Sequence, residues 1–299
     1  MEEAPGCPRI SVVIPTLNAE TMIGPLLESL REQSLPPCEI LVVDSASGDR
    51  TCEIARSLGA RVVQIRREDF DHGGTRDMAL RMCEGDIVLF LTQDALPCTE
   101  HYIEHLTAPF EDPRVGAVGG RQIARAQARP YEKRVREFNY PAEDRKWDRS
   151  AVPKLGVRAF LISDVCAAYR KEAYLRAGGF DAPILTNEDM LMAQKLLECG
   201  YALAYSAGAA VWHSHNYSLR EEYRRNHLIG RFMKRYEKRL SCGSETGEGL
   251  RLVRYVLGKL MSEGQILEAA AFCMNCAARL SGNRMGRMAE GRRMKAHEG

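Results

Sequence analysis

Residues 86–97 read DIVLFLTQDALP. Ile87 to Leu91 is apolar at every position, the pattern of a strand buried on both faces. It stops abruptly at Thr92-Gln93-Asp94, so a carboxylate stands at the mouth of an apolar strand. Three similar runs precede it: ISVVI (10–14), EILVVD (39–44) and RVVQI (61–65). Between them lie the helical patterns IGPLLESLREQ (23–33), TCEIARSL (51–58) and TRDMALRM (75–82). Strands alternating with helices of this length predict βαβ units and a mostly parallel sheet flanked by helices, an α/β fold. Pro25 suits a first helical turn and sets the start of its helix near Met22.

In such a sheet ligands bind beyond the carboxyl ends of the strands. Three of those ends are polar: Pro15-Thr16-Leu17-Asn18, Asp44-Ser45-Ala46-Ser47-Gly48-Asp49 and Thr92-Gln93-Asp94. Each alone reads as helix capping, since Asn, Ser and Asp commonly do that work. Three on one edge point to a ligand. The chain has neither GxGxxG after its first strand nor GxxxxGK[ST], which disfavours a dinucleotide dehydrogenase or a P-loop NTPase.

The 299 residues suffice for one large domain or a domain with an appendage. A net charge of +2 gives no global pull toward nucleic acid, and no reader motif is present. The ten cysteines follow no disulfide framework, and no secretory leader is evident. Free thiols in a reducing, cytoplasmic setting are expected. Cys273 and Cys276 lack a second pair for zinc and read as small core residues of a helix. Residues 121–160 are polar and Pro-punctuated, which predicts a helix plus an excursion over the active edge. AFLISDVCAAY (159–169) and YALAYSAGAAVWHSHNY (201–217) read as strands. From Leu219 the pattern is helical to about Leu280, followed by a basic tail expected to fray. Residues 219–240 carry eight Arg/Lys against three Glu at amphipathic spacing. That helix either packs on its own domain or lies on the inner face of an anionic membrane.

The motif order resembles the family-2 inverting glycosyltransferases of GT-A fold. The pieces are SVVIPTLN (11–18), ILVVDSASGDRT (40–51), GDIVLFLTQDALP (85–97), YRKEAYLRAGGFD (169–181) and NEDMLMAQKLLECGY (187–201). FDHGGTRD (70–77), TQDA (92–95) and VWHSHNYS (211–218) look most like bacterial rhamnosyltransferases that use a dTDP-rhamnose donor. The likeness covers residues 10 to about 218. It implies a GT-A domain over 1–218 with a basic helical extension over 219–299.

The resemblance also implies roles. Asp44 takes the N3–H of a pyrimidine, with Pro15, Thr16, Asn18 and Ser47 near base and ribose. His72, Arg76, Gln93 and Asp164 line the nucleotide-sugar pocket, with Arg76 aimed at the diphosphate and Gly73-Gly74 opening backbone to the ligand. Asp94 matches the second carboxylate of the family's Asp-x-Asp and would hold Mg²⁺ or Mn²⁺, but Thr92 replaces the first. His213 and His215, two apart on a strand, share a face and could supply the shortfall. A 2-His-1-carboxylate set also suggests non-haem iron, a reading that leaves the other strand-end loops unexplained. Asp189 is the expected general base and Glu188 its orienting partner, although both also suit a helix N-terminus. Gly178-Gly179 ends a helix and would turn Phe180 toward the sugar. The acceptor implied is a glycan or lipid-linked glycan of cell-surface polysaccharide. Another nucleotide sugar, such as a UDP-hexose, or binding without turnover are the alternatives.

Overall fold

The computed structural model describes residues 8–240 and 246–298. In chain order the elements are β1 (Ile10–Thr16), α1 (Glu20–Arg31), β2 (Glu39–Asp44), α2 (Thr51–Ser57), β3 (Arg61–Gln64), α3 (His72–Met82) and β4 (Ile87–Leu91). Next come β5 (Leu96–Pro97), α4 (Tyr102–Thr107), β6 (Val115–Ile123), α5 (Pro130–Asn139), β7 (Arg145–Trp147) and α6 (Val152–Leu155). The chain continues through β8 (Cys166–Arg170), α7 (Lys171–Arg176), α8 (Glu188–Glu198) and β9 (Ala202–Trp212), then α9 (Leu219–Arg235), α10 (Thr246–Ser262) and α11 (Ile266–Glu298).

One sheet runs in the order β3-β2-β1-β4-β8-β6-β9-β5, with β7 also on β9. The expected parallel half is β3-β2-β1-β4. The second half is mixed: β8 is antiparallel to both β4 and β6, whereas β6 and β9 run parallel. The period-2 pleat sends alternate side chains into two cores. Val12, Ile14, Val42, Leu89 and Leu91 face the side covered by α1 and α4. Val13, Leu41, Val43, Val88 and Phe90 face α3, α7 and α8. This double burial explains the uninterrupted apolar runs.

Several expectations are corrected. α1 begins at Glu20 rather than near Met22, with Pro25 inside it. The reason lies in the next loop: Thr51 Oγ1 and Asp49 Oδ2 accept from the N–H groups of Ala19 and Glu20, satisfying the helix start early. β8 begins at Cys166, because residues 156–160 form a 3₁₀ turn. Phe180 does not face a ligand. It is buried at the centre of an aromatic cluster with Phe90, Tyr169 and Tyr174. Cys273 is exposed rather than a core residue, and Cys276 is half-buried.

The tail does not fray, since α11 continues to Glu298. It lies against α9 at backbone distance: a Cβ at Gly282 would collide with the Tyr223 carbonyl oxygen, and one at Gly286 with that of His227. Glu290, buried beneath this seam, pairs with Arg231 and Arg235. The apolar side of α9 is accordingly used internally, with Phe232 and Met233 in the main core. A third small core joins Tyr131 and Val135 of α5 to Val256 and Leu260 of α10 and Ala269 and Phe272 of α11. Among the described residues no helix is long and apolar enough to cross a membrane.

Candidate active site

The loops after β1 and β2 are stitched together. Asn18, at φ +49°, donates its N–H to Ser47 Oγ and accepts from Gly48 N–H at its Oδ1. Asp44 lies beneath them, fully buried, and accepts from Thr16 Oγ1, Ser47 Oγ and Ser47 N–H. Burial opposes its charge, yet the bonds from Ser47, Cys52 and Thr16 hold its carboxyl below the usual range. Its carboxylate therefore shapes the loop from inside and does not border the cavity above. Gln93 locks the β4 end to the β1 end, accepting from Leu17 N–H and donating to Leu17 C=O.

Above these loops opens a cavity of about 410 Å³, bordered by Pro15, Thr16, His72, Arg76 and Gln93, five of the expected nucleotide-sugar residues. Leu17, Ser45, Arg67, Phe70 and Thr92 complete it. These were missed individually, although four of them fall inside the quoted motifs. The buried hydroxyl of Ser45 has no hydrogen-bond partner in the protein, and that of Thr92 lies beside Asp94. Apolar walls with a few convergent polar atoms are what a nucleoside needs. His72 is not in a loop but starts α3, where the Asp71 side chain caps the helix by accepting from Gly74 N–H. Gly73 is small for a different reason than expected: a Cβ there would strike the Asp181 carbonyl. The pair of glycines seats α3 on the 181–184 loop.

Asp94 follows, two residues before β5. The antiparallel register Leu96↔Trp212 carries it to the end of β9, where His213 and His215 lie just beyond the strand. Asp94 Oδ2 is 3.4 Å from His213 Nε2 and 3.3 Å from His215 Nε2, and the two Nε2 atoms are 3.1 Å apart. Both histidines meet the aspartate, and they do so from a loop and not a strand. Burial disfavours the Asp94 charge, but the hydrogen bond and positive character of His213 hold its carboxyl well below the usual range. Burial and the neighbouring His213 push His215 down to about 4, so its imidazole is neutral and its lone pair is free at physiological pH. Edges of 3.1 to 3.4 Å are the span of donors around a small divalent ion at about 2.1 Å. The donor set fits a divalent cation.

The third group is an acid cluster. Arg76 is buried; its Nη1 is 2.9 Å from Glu188 Oε1 and its Nε is 3.6 Å from Asp164 Oδ2. Its charge is thus engaged by carboxylates as well as facing the cavity. Asp164, itself buried, accepts from Tyr169 O–H at 2.7 Å. Burial, with the Glu188 charge and against the pull of Arg76, pushes Asp164 up to about 7. Asp189 opens α8 beside Glu188. It accepts from Met190 N–H at 2.8 Å and Asp164 N–H at 3.4 Å. Burial first, then the Glu188 and Asp164 charges, raise its carboxyl well above the ordinary range. These influences overcome the helix dipole that would weaken it as a base.

Asp189 borders a second cavity, of about 310 Å³, with Tyr140, Ser163, Asn187 and Tyr205. A shallower recess containing Trp147 and Arg145 adjoins it and shares Asn139, Arg158, Leu161 and Tyr205. Arg76 reaches from the first cavity to Glu188, the neighbour of Asp189. The acid cluster therefore stands between the two spaces.

Comparison with known proteins agrees with this arrangement. The profile of glycosyl transferase family 2 matches residues 11–177. The O-antigen chain rhamnosyltransferase RfbN of Salmonella typhimurium is 36% identical over 250 residues, covering 82% of this chain and 79% of the relative. WbaN of Salmonella anatum, with the same description, is 35% identical over 83% of this chain and 79% of its own. Among solved structures, mannosyltransferase PcManGT from Pyrobaculum calidifontis, in complex with GDP-Man and Mn²⁺, superposes with a TM-score of 0.59 at 20% identity. That match covers 93% of this chain and 84% of PcManGT. TarS residues 1–349 of S. aureus, with UDP-GlcNAc, give a TM-score of 0.54 at 18% identity over 94% and 92% of the two chains. At these identities the structures support the GT-A-like fold.

Proposed function

The chain belongs to glycosyl transferase family 2, and on that premise we propose that it moves L-rhamnose from a nucleotide donor, preferentially dTDP-β-L-rhamnose, to a hydroxyl of a glycan or lipid-linked glycan in cell-surface polysaccharide synthesis. Its relatives act as O-antigen rhamnosyltransferases, which supports the sugar and the acceptor class. The observation that carries the mechanism is the place of Asp189, at the border of the second cavity and one residue from the carboxylate that holds Arg76.

In this reading Pro15, Thr16, Leu17 and Phe70 enclose the pyrimidine, with Ser45 and Thr92 of the same wall beside the nucleotide. Asp44, Asn18 and Ser47 keep those loops in shape from below. Asp94, His213 and His215 hold the divalent cation, which when bound offsets the charge developing on the departing diphosphate. Two imidazoles beside one carboxylate suit Mn²⁺ better than Mg²⁺, which prefers oxygen alone.

The acceptor lies in the second cavity against Tyr140 and Tyr205. Asp189 takes the proton of its hydroxyl as that oxygen attacks the anomeric carbon from the face opposite the leaving group. The carbon–oxygen bond to the diphosphate breaks, dTDP departs, and the configuration inverts. The N–H groups of Asp164 and Met190 keep Asp189 oriented, and the charges of Glu188 and Asp164 keep its proton affinity high. Residues 1–218 form the catalytic unit, and 219–299 a helical extension that braces α5 from behind. If the acceptor is lipid-linked, the exposed Leu250, Met261, Ile266 and Leu267 beside Arg251 and Arg254 offer a peripheral contact with an anionic cytoplasmic membrane face.

The test is a donor panel: dTDP-rhamnose, UDP-GlcNAc and GDP-mannose with a glycan acceptor and Mn²⁺, following nucleotide release and the anomeric configuration of the product by NMR. dTDP release with an inverted product is expected. Faster turnover of a UDP-hexose would replace the rhamnose assignment, and release from no donor would favour a binding protein.

A further inference from the structure

We propose that Gln122 is a positioning residue that fixes the tautomer of His213, and that Arg136 holds Gln122 to that task. The inference rests on reading Asp94, His213 and His215 as the cation site. The register of β6 on β9 pairs Gln122 with Val211 and Ile123 with Trp212, which sets the glutamine beside the first residue past the strand. Gln122 is buried, and its Oε1 lies 3.0 Å from His213 Nδ1.

An amide can be turned either way, so that contact alone does not say which atom carries the hydrogen. Arg136 decides it. A guanidinium can only donate, and Arg136 Nη1 meets the same Oε1. The other end of the amide donates to Ser163 Oγ at 3.1 Å. With oxygen facing His213, Nδ1 must carry a hydrogen, and Nε2 is the nitrogen directed at Asp94, the one that gives up its own proton to take a cation. The ring is thereby presented as a cation ligand before any ion arrives.

Arg136 is itself held by Glu132 at 2.8 Å, one turn back on α5. α5 is in turn packed on the C-terminal helices through Tyr131 and Val135, and tied to them by Arg129–Glu268 at 3.0 Å and Arg134–Glu263 at 2.5 Å. The chain of support from extension to cation site is therefore continuous: α10 and α11, α5, Arg136, Gln122, His213. Ser163 also borders the cavity of Asp189, so the same glutamine touches both the cation site and a wall of that cavity.

Two measurements test this. In the metal-free full chain, long-range ¹H–¹⁵N spectra of ¹⁵N-histidine should show a hydrogen on His213 Nδ1. Gln122→Leu should move it toward the Nε2–H form, while Gln122→Glu, which still accepts, should keep it. Separately, Mn²⁺ affinity read from the EPR signal of the free ion should weaken about 10- to 100-fold in Gln122→Leu. It should stay within several-fold in Gln122→Glu, with melting temperature and metal-free dTDP binding as folding controls. A wild-type His213 in the Nε2–H form overturns the proposal, and so does unchanged Mn²⁺ affinity in a well-folded Gln122→Leu. A wild-type chain that binds no Mn²⁺ at all would instead refute the cation site, leaving the tautomer to be decided by the spectra.

Discussion

Replacing Arg76 with Met keeps the length and apolar stem of the side chain and removes its cation. Only 7% of the Arg76 side chain is exposed, as is 7% of Glu188 and 3% of Asp164, so water cannot take over the lost role. Breaking a buried ion pair by deleting one partner costs about 3–5 kcal/mol, since the remaining charges stay buried and unpaired. At about 2.1 cal/mol/K of unfolding entropy per residue, over 299 residues that corresponds to a fall in Tm of roughly 5–8 °C. The loss must depend on pH.

In the wild type Asp164 is raised to about 7, and Asp189 is raised as well. Between the ordinary carboxylate range and pH 7 the folded chain thus holds protons the unfolded chain has released. The contribution of these groups is fullest at acid pH and fades as pH rises through 7. Removing Arg76 deletes the larger of the two influences that lower Asp164, leaving only the Tyr169 hydrogen bond, and so widens this window upward. Differential scanning fluorimetry of both proteins should show a large Tm deficit at pH 8 that falls below half at pH 5.5. An equal deficit at both values, or one under about 1 kcal/mol at pH 8, would refute the idea that Arg76 compensates a buried acid cluster.

Other expectations can be checked as directly. His213→Ala and His215→Ala should each weaken Mn²⁺ binding, measured by calorimetry, by more than the roughly 10- to 100-fold cost of losing an outer-shell partner; undiminished binding in the double variant would remove the cation site. Phe70→Ala should raise the Kd for dTDP by roughly 5- to 150-fold, the range expected for losing about 1–3 kcal/mol of base stacking, with the turnover rate at saturation little changed. Gly286→Ala forces a methyl against the His227 carbonyl and should cost about 1–3 kcal/mol of stability by denaturant titration.

The parallel half of the fold was legible because its signals are local. β1, β2 and β4 are apolar at nearly every position, and each helix between them lies within a dozen residues. The other half depends on β8 entering between β4 and β6, a pairing of distant segments that no short pattern announces. Asp94 and the two histidines were readable as candidate ligands, but their meeting depends on the Leu96↔Trp212 register. The tail beyond Leu280 read as frayed, whereas Gly282 and Gly286 let α11 approach α9 at backbone distance. Phe180 was drawn toward the ligand by its motif, and toward the core by Phe90, Tyr169 and Tyr174. Gln122 carried no signal at all, because a lone polar residue in a strand reveals nothing until its neighbours on β9 and α5 are known.

The central claim is that Asp189, with its proton affinity raised by burial and by Glu188 and Asp164, removes the acceptor proton. Steady-state kinetics of wild type and Asp189→Asn across pH, with donor affinity measured in parallel, test it most directly. kcat should fall about 10²- to 10⁴-fold in the variant while the donor Kd changes less than twofold, and the wild-type kcat/KM should rise with pH along a limb above the usual carboxylate range. A variant retaining a tenth of wild-type kcat, or a wild-type profile flat from pH 5 upward, would contradict it.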